Sequence, residues 1–407
     1  MLAPRLKADG RAFAQIAQFH PELTAFRRDL HAHPELGFEE VYTSGRVVAA
    51  LKLCGVDEVH TGIGKTGVVA VVKGRRTTSG RMIGLRADMD ALPITELNDF
   101  AWKSARAGLM HGCGHDGHTT MLLGAARYLA ASREFDGTAV LIFQPGEEGY
   151  AGAKAMMEDG LFERFPVQAV YGMHNWPAMR PGTIGVNPGP MMAAADRITI
   201  EITGKGGHGA HAYLTIDPVL VAGHIITAVQ SIVSRNVKPL DSAVISLGAM
   251  HAGDMGAFSV IPGKAVLVGT VRTFSPQVQD MIEQRLHELC SAVALGFGAS
   301  AAVNYERVYP ATINTADEAG FAADVAESLV GPDHVVRDLE PSMGAEDFAF
   351  MLQSKPGAYL RIGQGGEGSC FLHNTRYDFN DDILPLGAAL HAGLAEQAMP
   401  LAADVAP

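Results

Sequence analysis

Short runs of consecutive apolar residues alternate with longer helical patterns along the first half of the chain. The runs at Val68–Lys73, Met82–Leu85, Thr138–Phe143 and Ala169–Met173 predict buried strands, and a helical pattern covers Thr120–Ala131. Strands that are apolar on both faces and are separated by helices predict a sheet covered on both sides. The fold class is therefore predicted as α/β, with a mixed central sheet flanked by helices.

The pattern changes after Asn187–Pro190, where proline and glycine suit a hinge. Beyond it, Asp217 and Ser275 are each followed by proline, which predicts two capped helices. These helices extend to about Ser234 and Val293, and strand patterns cover Arg197–Thr203, Ser242–Met250, Ala265–Val271 and Ala301–Tyr305. The order strand, helix, strand, strand, helix, strand is that of a ferredoxin-like α+β unit.

Helix and strand alternation returns after Tyr309-Pro310. Helical patterns lie near Ala316–Leu329 and Pro385–Met399, and a strand pattern lies at Ala358–Ile362. We therefore expect a catalytic domain in two parts, residues 1–190 and 307–407. The ferredoxin-like unit, residues 191–306, is expected to be an inserted lid that also serves dimerisation.

Composition narrows the function without naming it. The 407 residues carry a formal net charge of -12, which argues against a nucleic-acid partner because phosphate binding needs clustered Lys and Arg. The four cysteines are scattered, and no apolar run has the length of a membrane span or a signal peptide. We expect a cytoplasmic protein with a small-molecule substrate and no membrane partner.

The densest chemistry lies in the segment MHGCGHDGH, residues 110–118. Three histidines, a cysteine and an aspartate stand between glycines, which leave the backbone free to bend around a small object. Thiolate and neutral imidazole are good ligands of zinc and similar divalent metals. The segment precedes a helical pattern, so these side chains are expected to project from a loop at a sheet edge. The alternative is a polar helix start with unrelated histidines.

Two adjacent carboxylates, Glu147 and Glu148, follow the strand pattern Thr138–Phe143. Like charges at a buried strand end are costly unless a cation compensates them. One carboxylate can bind metal while the other acts as a general base, and the alternative is a solvated loop with two surface acids.

Further polar residues stand at other strand ends. His174 and His373 each close an apolar run, and Asp88 and Asp90 follow the strand pattern Met82–Leu85. Each histidine alone would more often be a packing residue than a ligand. Together these residues predict that several strand ends converge on one site.

Eight segments resemble the family of aminoacylases, hippurate hydrolases and auxin-conjugate amidohydrolases, which belongs to a wider group of two-metal carboxypeptidases, dipeptidases and deacylases. The segments are RRDLHAHPELGFEE, GLRADMDALP, MHGCGHDGHTT, LIFQPGEEGYAGAKAMMEDG, GMHNWP, GKGGHGAH, SMGAEDFAFML and LHNTRYDFNDD. They run from Arg27 to Asp382, so the resemblance covers nearly the whole chain.

The resemblance implies roles for individual residues. Cys113 corresponds to the ligand that bridges two divalent metal ions. His115 and His174 correspond to ligands of one ion, and Glu148 and His373 to ligands of the other. Glu147 corresponds to the general base, and Asp90 to an aspartate that orients a ligand. The ions implied are zinc, manganese, cobalt or nickel, two per subunit.

The resemblance also implies roles in the lid. His208 corresponds to a histidine that stabilises the reaction intermediate, often in the partner subunit's site, and Arg272 to an arginine that binds the substrate carboxylate. The residues His211–Leu214 depart from the Pro-His ending more usual in the family. A homodimer through the lid, or a tetramer, is implied.

The function implied is metal-dependent hydrolysis of the amide bond of small N-acyl amino acids. The rivals are a metallo-dipeptidase or carboxypeptidase with the same catalytic residues, and a non-catalytic metal-binding protein on the same fold.

Overall fold

The computed structural model describes residues 10–366 and 368–402. These residues form two compact units. The larger unit comprises the residues up to Met191, Ile313–Glu340 and the residues from Asp347 onward, and the smaller comprises Met192–Thr312 with Pro341–Glu346. The catalytic and lid roles expected for the two parts of the sequence stay predictions.

The helices and strands are numbered in chain order. Helices α1 to α12 are Arg11–Ile16, His20–Ala32, Val41–Cys54, His115–Ser132, Glu147–Tyr150, Gly152–Glu158, Leu161–Arg164, Pro218–Asn236, Pro276–Gly296, Ala316–Val330, Ala349–Ser354 and Leu384–Ala398. Strands β1 to β16 are Glu58–Ile63, Gly67–Lys73, Met82–Asp88, Thr138–Gln144, Ala169–Trp176, Ile184–Gly185, Gly189–Met192, Ala194–Thr203, Gly207–His208, Ala243–Ala252, Val260–Ile261, Lys264–Thr273, Ser300–Tyr309, Thr312–Asn314, Val335–Val336 and Gly357–Gly363.

The larger unit is built on a sheet of eight strands in the order β1-β2-β4-β3-β5-β16-β6-β15. Strands β4, β3, β5 and β16 are parallel neighbours, whereas β1, β2 and β4 pair antiparallel. Nearly every residue of β2, β4 and β5 is buried, which explains their continuous apolar runs. The predicted α/β class with a mixed central sheet and flanking helices is confirmed.

Three N-terminal helices were not predicted. Helix α2 turns Arg27 and His31 toward the interior, so polar residues interrupt the apolar stripe by which such a helix is recognised. Helix α3 buries only Thr43, Val47 and Leu51, a stripe one residue wide at every fourth position.

The smaller unit has a four-stranded antiparallel sheet in the order β10-β12-β8-β13, with helices α8 and α9 between its strands in sequence. This strand order and the βαββαβ succession confirm the predicted ferredoxin-like unit. The predicted caps also form. Asp217 accepts a hydrogen bond from Val219 N at 2.9 Å, and Ser275 Oγ accepts one from Val278 N.

Within residues 10–366 and 368–402, one helix, α8, is long and apolar enough to cross a membrane by length and composition alone. Its residues Val221, Ile225, Val229 and Ile232 are buried in the core of the smaller unit. Packing within that unit therefore explains the apolar residues on one face of α8.

Candidate metal centre and active site

Parallel strands bring several polar segments to one edge of the larger sheet. Strand β3 ends at Asp88, β4 ends at Gln144 and β5 ends at Trp176. These three strands are neighbours that run in the same direction, so their carboxyl ends lie side by side. Ligands in α/β proteins commonly bind at this edge.

The Cys/His segment enters helix α4 earlier than predicted. The helix begins at His115 and not near Thr120, so only the first part of the segment is a loop. Gly114 makes the turn with a φ of 101°, and a Cβ there would lie 2.4 Å from Asn175 Oδ1. Only glycine meets both requirements. The expectation that the whole segment is a loop was therefore wrong for its second half. Cys113 lies in the loop, and His115 lies in the first turn of the helix.

Five side chains from four segments bring potential ligand atoms together. Those of Cys113, His115 and His174 lie within 4.8 Å of one another, and so do those of Cys113, Glu148 and His373. Cys113 belongs to both groups, with its Sγ 3.3 Å from His174 Nε2. The structure therefore gathers all five residues that the resemblance marks as ligands, and their binding of metal stays a prediction.

His373 reaches this cluster from the C-terminal part of the chain. Its φ of 63° is in the left-handed region, and its backbone N donates to Gly112 O at 2.7 Å. Its Nε2 lies 3.2 Å from Glu148 Oε1, and 52% of its side chain is exposed. The cluster is therefore open to small molecules on the His373 side.

The hydrogen bonds of the cluster leave some ligand atoms without partners. His115 Nδ1 lies 3.1 Å from Asp90 Oδ1, and His174 Nδ1 lies 2.7 Å from the carbonyl oxygen of Asn175. In contrast, His115 Nε2 is buried and forms no hydrogen bond with another described residue, and Glu148 Oε1 forms none beyond its close contact with His373 Nε2. A histidine with one nitrogen oriented and the other free is the usual form of a metal ligand. These donors therefore fit divalent cations.

Burial and crowded charge shift the pKa values of three of these groups. Burial, together with the nearby carboxylates of Glu148 and Glu147, holds the pKa of the Cys113 thiol well above its ordinary value. Burial alone would lower the pKa of His115, but Asp88 and Asp90 outweigh it and raise that pKa to about 10. Burial lowers the pKa of His174 well below its ordinary value. A cation would therefore find His174 neutral and would have to displace protons from Cys113 and His115.

Asp90 contacts two of the predicted ligands from behind. Its Oδ1 lies 3.1 Å from His115 Nδ1, and its Oδ2 accepts a hydrogen bond from Glu148 N at 2.9 Å. The carboxylate is buried. This is the placement expected of a residue that orients ligands.

Glu147 lies beside the cluster and is 7% exposed. Its Oε1 accepts a hydrogen bond from Asp347 N at 3.3 Å. The side chain of Asp347 accepts hydrogen bonds from Gln144 Nε2 at 2.7 Å and from Ala153 N at 2.9 Å, on either side of Glu147 in the chain. Asp347 therefore fixes both ends of the segment that carries Glu147, a role that the sequence did not reveal.

Arg86, which was not predicted, and His118, a histidine of the segment at residues 110–118 that was given no individual role, also belong to the site. Arg86 is fully buried and donates to Asp88 Oδ2 at 2.7 Å and to Asp347 Oδ1 at 3.0 Å. His118 lies 2.6 Å from Asp88 Oδ1 and 2.6 Å from Asn175 Oδ1. The available signal was an arginine within an apolar strand that ends in acids, since such a charge must find a partner.

A second buried network lies behind the first turn of α4. His31 Nδ1 lies 2.8 Å from Asp116 Oδ2, and Arg27 Nη1 lies 3.6 Å from the same oxygen. Arg27 Nε also donates to Asp381 Oδ1 at 2.6 Å. The network ties α2 to α4 and to the segment before α12, next to the ligand His115.

The two remaining predicted residues, His208 and Arg272, belong to the smaller unit. His208 is exposed, and its Nδ1 accepts a hydrogen bond from Ala210 N at 3.1 Å. Arg272 lies in β12 opposite Ala195 and Val244 of the neighbouring strands. Burial lowers the pKa of Arg272, and nearby Asp196 opposes the effect. Their roles stay predictions.

The fold and the cluster together define an α/β protein with a candidate metal centre and a buried glutamate beside it. The chain belongs to peptidase family M20/M25/M40, whose model matches residues 84–397. The family predicted by the resemblance is thereby confirmed.

Individual relatives match almost the whole chain. This chain is 42% identical to a hippurate hydrolase of Campylobacter jejuni, over 94% of this chain and 97% of the relative. It is 38% identical to an N-acetylcysteine deacetylase of Bacillus subtilis, over 93% of this chain and 97% of the relative. A solved Bacillus subtilis structure, described as a dinuclear metal binding peptidase of the M20 family, is 35% identical with a TM-score of 0.82. It covers 94% of this chain and 99% of its own.

Proposed function

We propose that this protein hydrolyses the amide bond of small N-acyl amino acids and releases a carboxylic acid and an amino acid. The observation that carries the proposal is the buried carboxylate of Glu147 beside two groups of ligand atoms that share Cys113. A general base next to bound cations is the arrangement that metal-assisted amide hydrolysis needs. Relatives named for hippurate and N-acetylcysteine, both N-acyl amino acids, support this substrate class.

We assign two divalent cations per subunit to the cluster. Cys113 would be shared, His115 and His174 would complete one site, and Glu148 and His373 the other. Zinc, manganese, cobalt and nickel all suit such a donor set. When bound, the cations supply Lewis-acid activation of the attacking water and of the amide carbonyl.

The chain itself supplies the proton transfers. Glu147 takes a proton from the water whose oxygen bonds to the carbonyl carbon. It then gives that proton to the amine nitrogen as the carbon–nitrogen bond breaks. The hydrogen bond from Asp347 N holds the Glu147 carboxylate, and Asp90 holds His115 and the Glu148 backbone.

The smaller unit is proposed as the lid and as the surface of a homodimer, or of a tetramer. We assign to His208 the stabilisation of charge on the carbonyl oxygen, in its own or the partner subunit's site, and to Arg272 the binding of the substrate carboxylate. Strand β10 lies at the edge of its sheet, and Leu240, Met255 and Phe258 are exposed. An open edge and exposed apolar side chains support self-association.

We place the enzyme in the cytoplasm, where a thiolate ligand stays reduced. Fractionation of cells that produce the protein tests this assignment, which requires activity in the soluble cytoplasmic fraction.

Replacing the general base tests the mechanism. Glu147→Gln is expected to keep its cations, measured by elemental analysis, and to lose activity by at least about 100-fold, because only the proton transfers are removed. Wild-type activity in this variant would contradict the role of Glu147.

A panel of substrates separates the proposed function from its rivals. Hippurate, N-acetyl amino acids and dipeptides are each given to protein reconstituted with each of the four metals, with a chelator-treated control. We expect turnover of the N-acyl amino acids that disappears in the chelated sample. Turnover of dipeptides alone, or no turnover at all, would overturn the proposal.

A further inference from the structure

Two aromatic side chains stand next to predicted metal ligands on the open side of the cluster. Trp176 follows His174 by two residues in strand β5, and alternate residues of a strand point to the same face. The centroids of the two rings are 6.2 Å apart. Phe371 precedes His373 by two residues, and its ring meets that of Trp176 edge to face, with centroids 5.6 Å apart.

The Trp176 ring is supported from one side by a fixed cation. Arg361 Cζ lies 4.0 Å from the Trp176 centroid. The guanidinium is itself held, since it donates to the carbonyl oxygens of Glu340 at 3.0 Å and Met191 at 3.1 Å. A tryptophan stacked in this way has a defined orientation, so it can act as a rigid wall.

The pair nevertheless leaves apolar surface uncovered. Phe371 is 47% exposed, although its ring packs against Trp176. An aromatic surface left in water beside a reactive cluster gains free energy when an apolar group covers it. The predicted ligands and general base are carboxylates, imidazoles and a thiol, so an apolar portion of a substrate needs another surface, and this pair supplies one.

We propose that Trp176 and Phe371 form a subsite for an aromatic acyl group, so that the enzyme prefers N-aroyl amino acids to N-acetyl amino acids. The inference rests on the proposed function. It assigns the aromatic pair to the acyl side because hippurate, the substrate named for one relative, is N-benzoylglycine.

The test compares kcat/KM for three substrates that differ in where the ring lies: N-benzoylglycine, N-acetylglycine and N-acetylphenylalanine. We expect the wild type to favour N-benzoylglycine over N-acetylglycine. Phe371→Ala should lower kcat/KM for N-benzoylglycine about tenfold and leave that for N-acetylglycine within about twofold, the range in which apolar pockets discriminate. Trp176→Leu should act in the same direction.

Phe162→Ala is the matched control. Phe162 is a half-buried phenylalanine of α7, which precedes the first residue of β5, whereas Trp176 is the last. The first and last of the eight residues of β5 are roughly 23 Å apart. This variant should keep the wild-type ratio between benzoyl and acetyl substrates.

The outcomes distinguish the subsite from the function on which it rests. An unchanged ratio in Phe371→Ala and Trp176→Leu, or an equal fall for all three substrates, would overturn the subsite while turnover upholds the proposed function. A selective fall for N-acetylphenylalanine would overturn it too, because the pair would then face the amino-acid side. If the wild type hydrolysed none of the three, both proposals would fail. Inhibition by benzoate that weakens in Phe371→Ala, with inhibition by acetate unchanged, supports the subsite independently of turnover.

Discussion

Single buried carboxylates hold the site together at the scale of residues. Asp90 contacts His115 and the Glu148 backbone, and Asp347 contacts Arg86 and the segment around Glu147. Removing one member of a buried ion pair leaves the other charge uncompensated, which costs far more than losing an exposed pair. Conservative substitutions at these positions should therefore have large effects.

Asp347→Asn tests whether a buried carboxylate positions the general base Glu147. The variant leaves the buried Arg86 with less compensation and loosens both ends of the segment that carries Glu147, so we expect kcat to fall about tenfold or more while KM changes little. The free energy of unfolding should fall by roughly 3 kcal/mol. The control is Asp136→Asn, a buried carboxylate near the opposite end of β4 that accepts hydrogen bonds from Thr78 and Ser79. Equal kcat losses in both variants would contradict the positioning role of Asp347.

The pair formed by His31 and Asp116 predicts how stability depends on pH. Burial alone would lower the pKa of His31, but hydrogen bonds to Asp116 and Glu96 raise it to about 9. The folded protein thus holds this proton more tightly than the unfolded chain does. The pair stabilises the fold fully below about pH 6.5, the ordinary value, and this contribution is lost as the pH rises toward 9.

Thermal unfolding of the wild type and His31→Asn across this range measures the effect. The wild type should lose up to about 1.4 kcal/mol of stability per pH unit more than the variant does. If the two proteins lost stability in parallel, His31 would not be the group responsible.

At this scale the sequence revealed the ligands better than their supports. Cys113, His115 and Glu148 stand in clusters of chemically unusual composition, which a reader of the sequence can recognise. Asp347 and His31 are separated from the predicted ligands by long stretches of chain, and neither aspartate nor histidine is a residue type that is usually fully buried. Their roles follow from contacts that only the folded chain defines.

At the scale of elements, close helix packing places the Cys/His segment. Helix α12 packs on α4, whose first turn contains His115. At their contact a Cβ on Gly387 would lie 1.9 Å from Met121 Sδ. The two helices therefore approach at a distance that only glycine permits, and this packing fixes α4 behind the cluster.

Gly387→Ala should lower the free energy of unfolding by about 1–3 kcal/mol because Met121 must move within a packed core. Gly320→Ala in helix α10 is the matched control, since a Cβ there meets nothing within 4 Å. It should raise stability by up to about 1 kcal/mol by restricting the unfolded chain. Chemical denaturation measures both, and a destabilised Gly320→Ala with an unaffected Gly387→Ala would contradict the packing argument.

Helices and strands could be predicted where the apolar pattern repeats, and they could not where polar residues face the interior. The buried strands and the two proline-capped helices of the smaller unit follow directly from apolar runs and N-caps. The pattern does not predict helix α2 because Arg27 and His31 occupy its buried face. It places the start of helix α4 too late because the first turn of that helix carries ligand-type residues.

At the scale of the whole molecule, chain topology creates the site. The predicted ligands are spread along the chain from Cys113 to His373. The parallel strands β4, β3, β5 and β16 are neighbours in the sheet, so the ends of the strands that lie next to these ligands in the sequence come together. The sequence shows which segments are strands but not which strands are neighbours, because neighbour choice depends on long-range packing. The polar residues at the predicted strand ends, and then the resemblance, indicated this convergence, and the structure adds which strands are neighbours.

Anomalous diffraction from crystals of protein reconstituted with zinc or manganese tests the central claim most directly. The account predicts two peaks about 3.5–4 Å apart, both within bonding distance of Cys113 Sγ, one also contacting His115 and His174 and the other Glu148 and His373. Peaks at other residues, or no peak in this cluster at saturating metal, would contradict it.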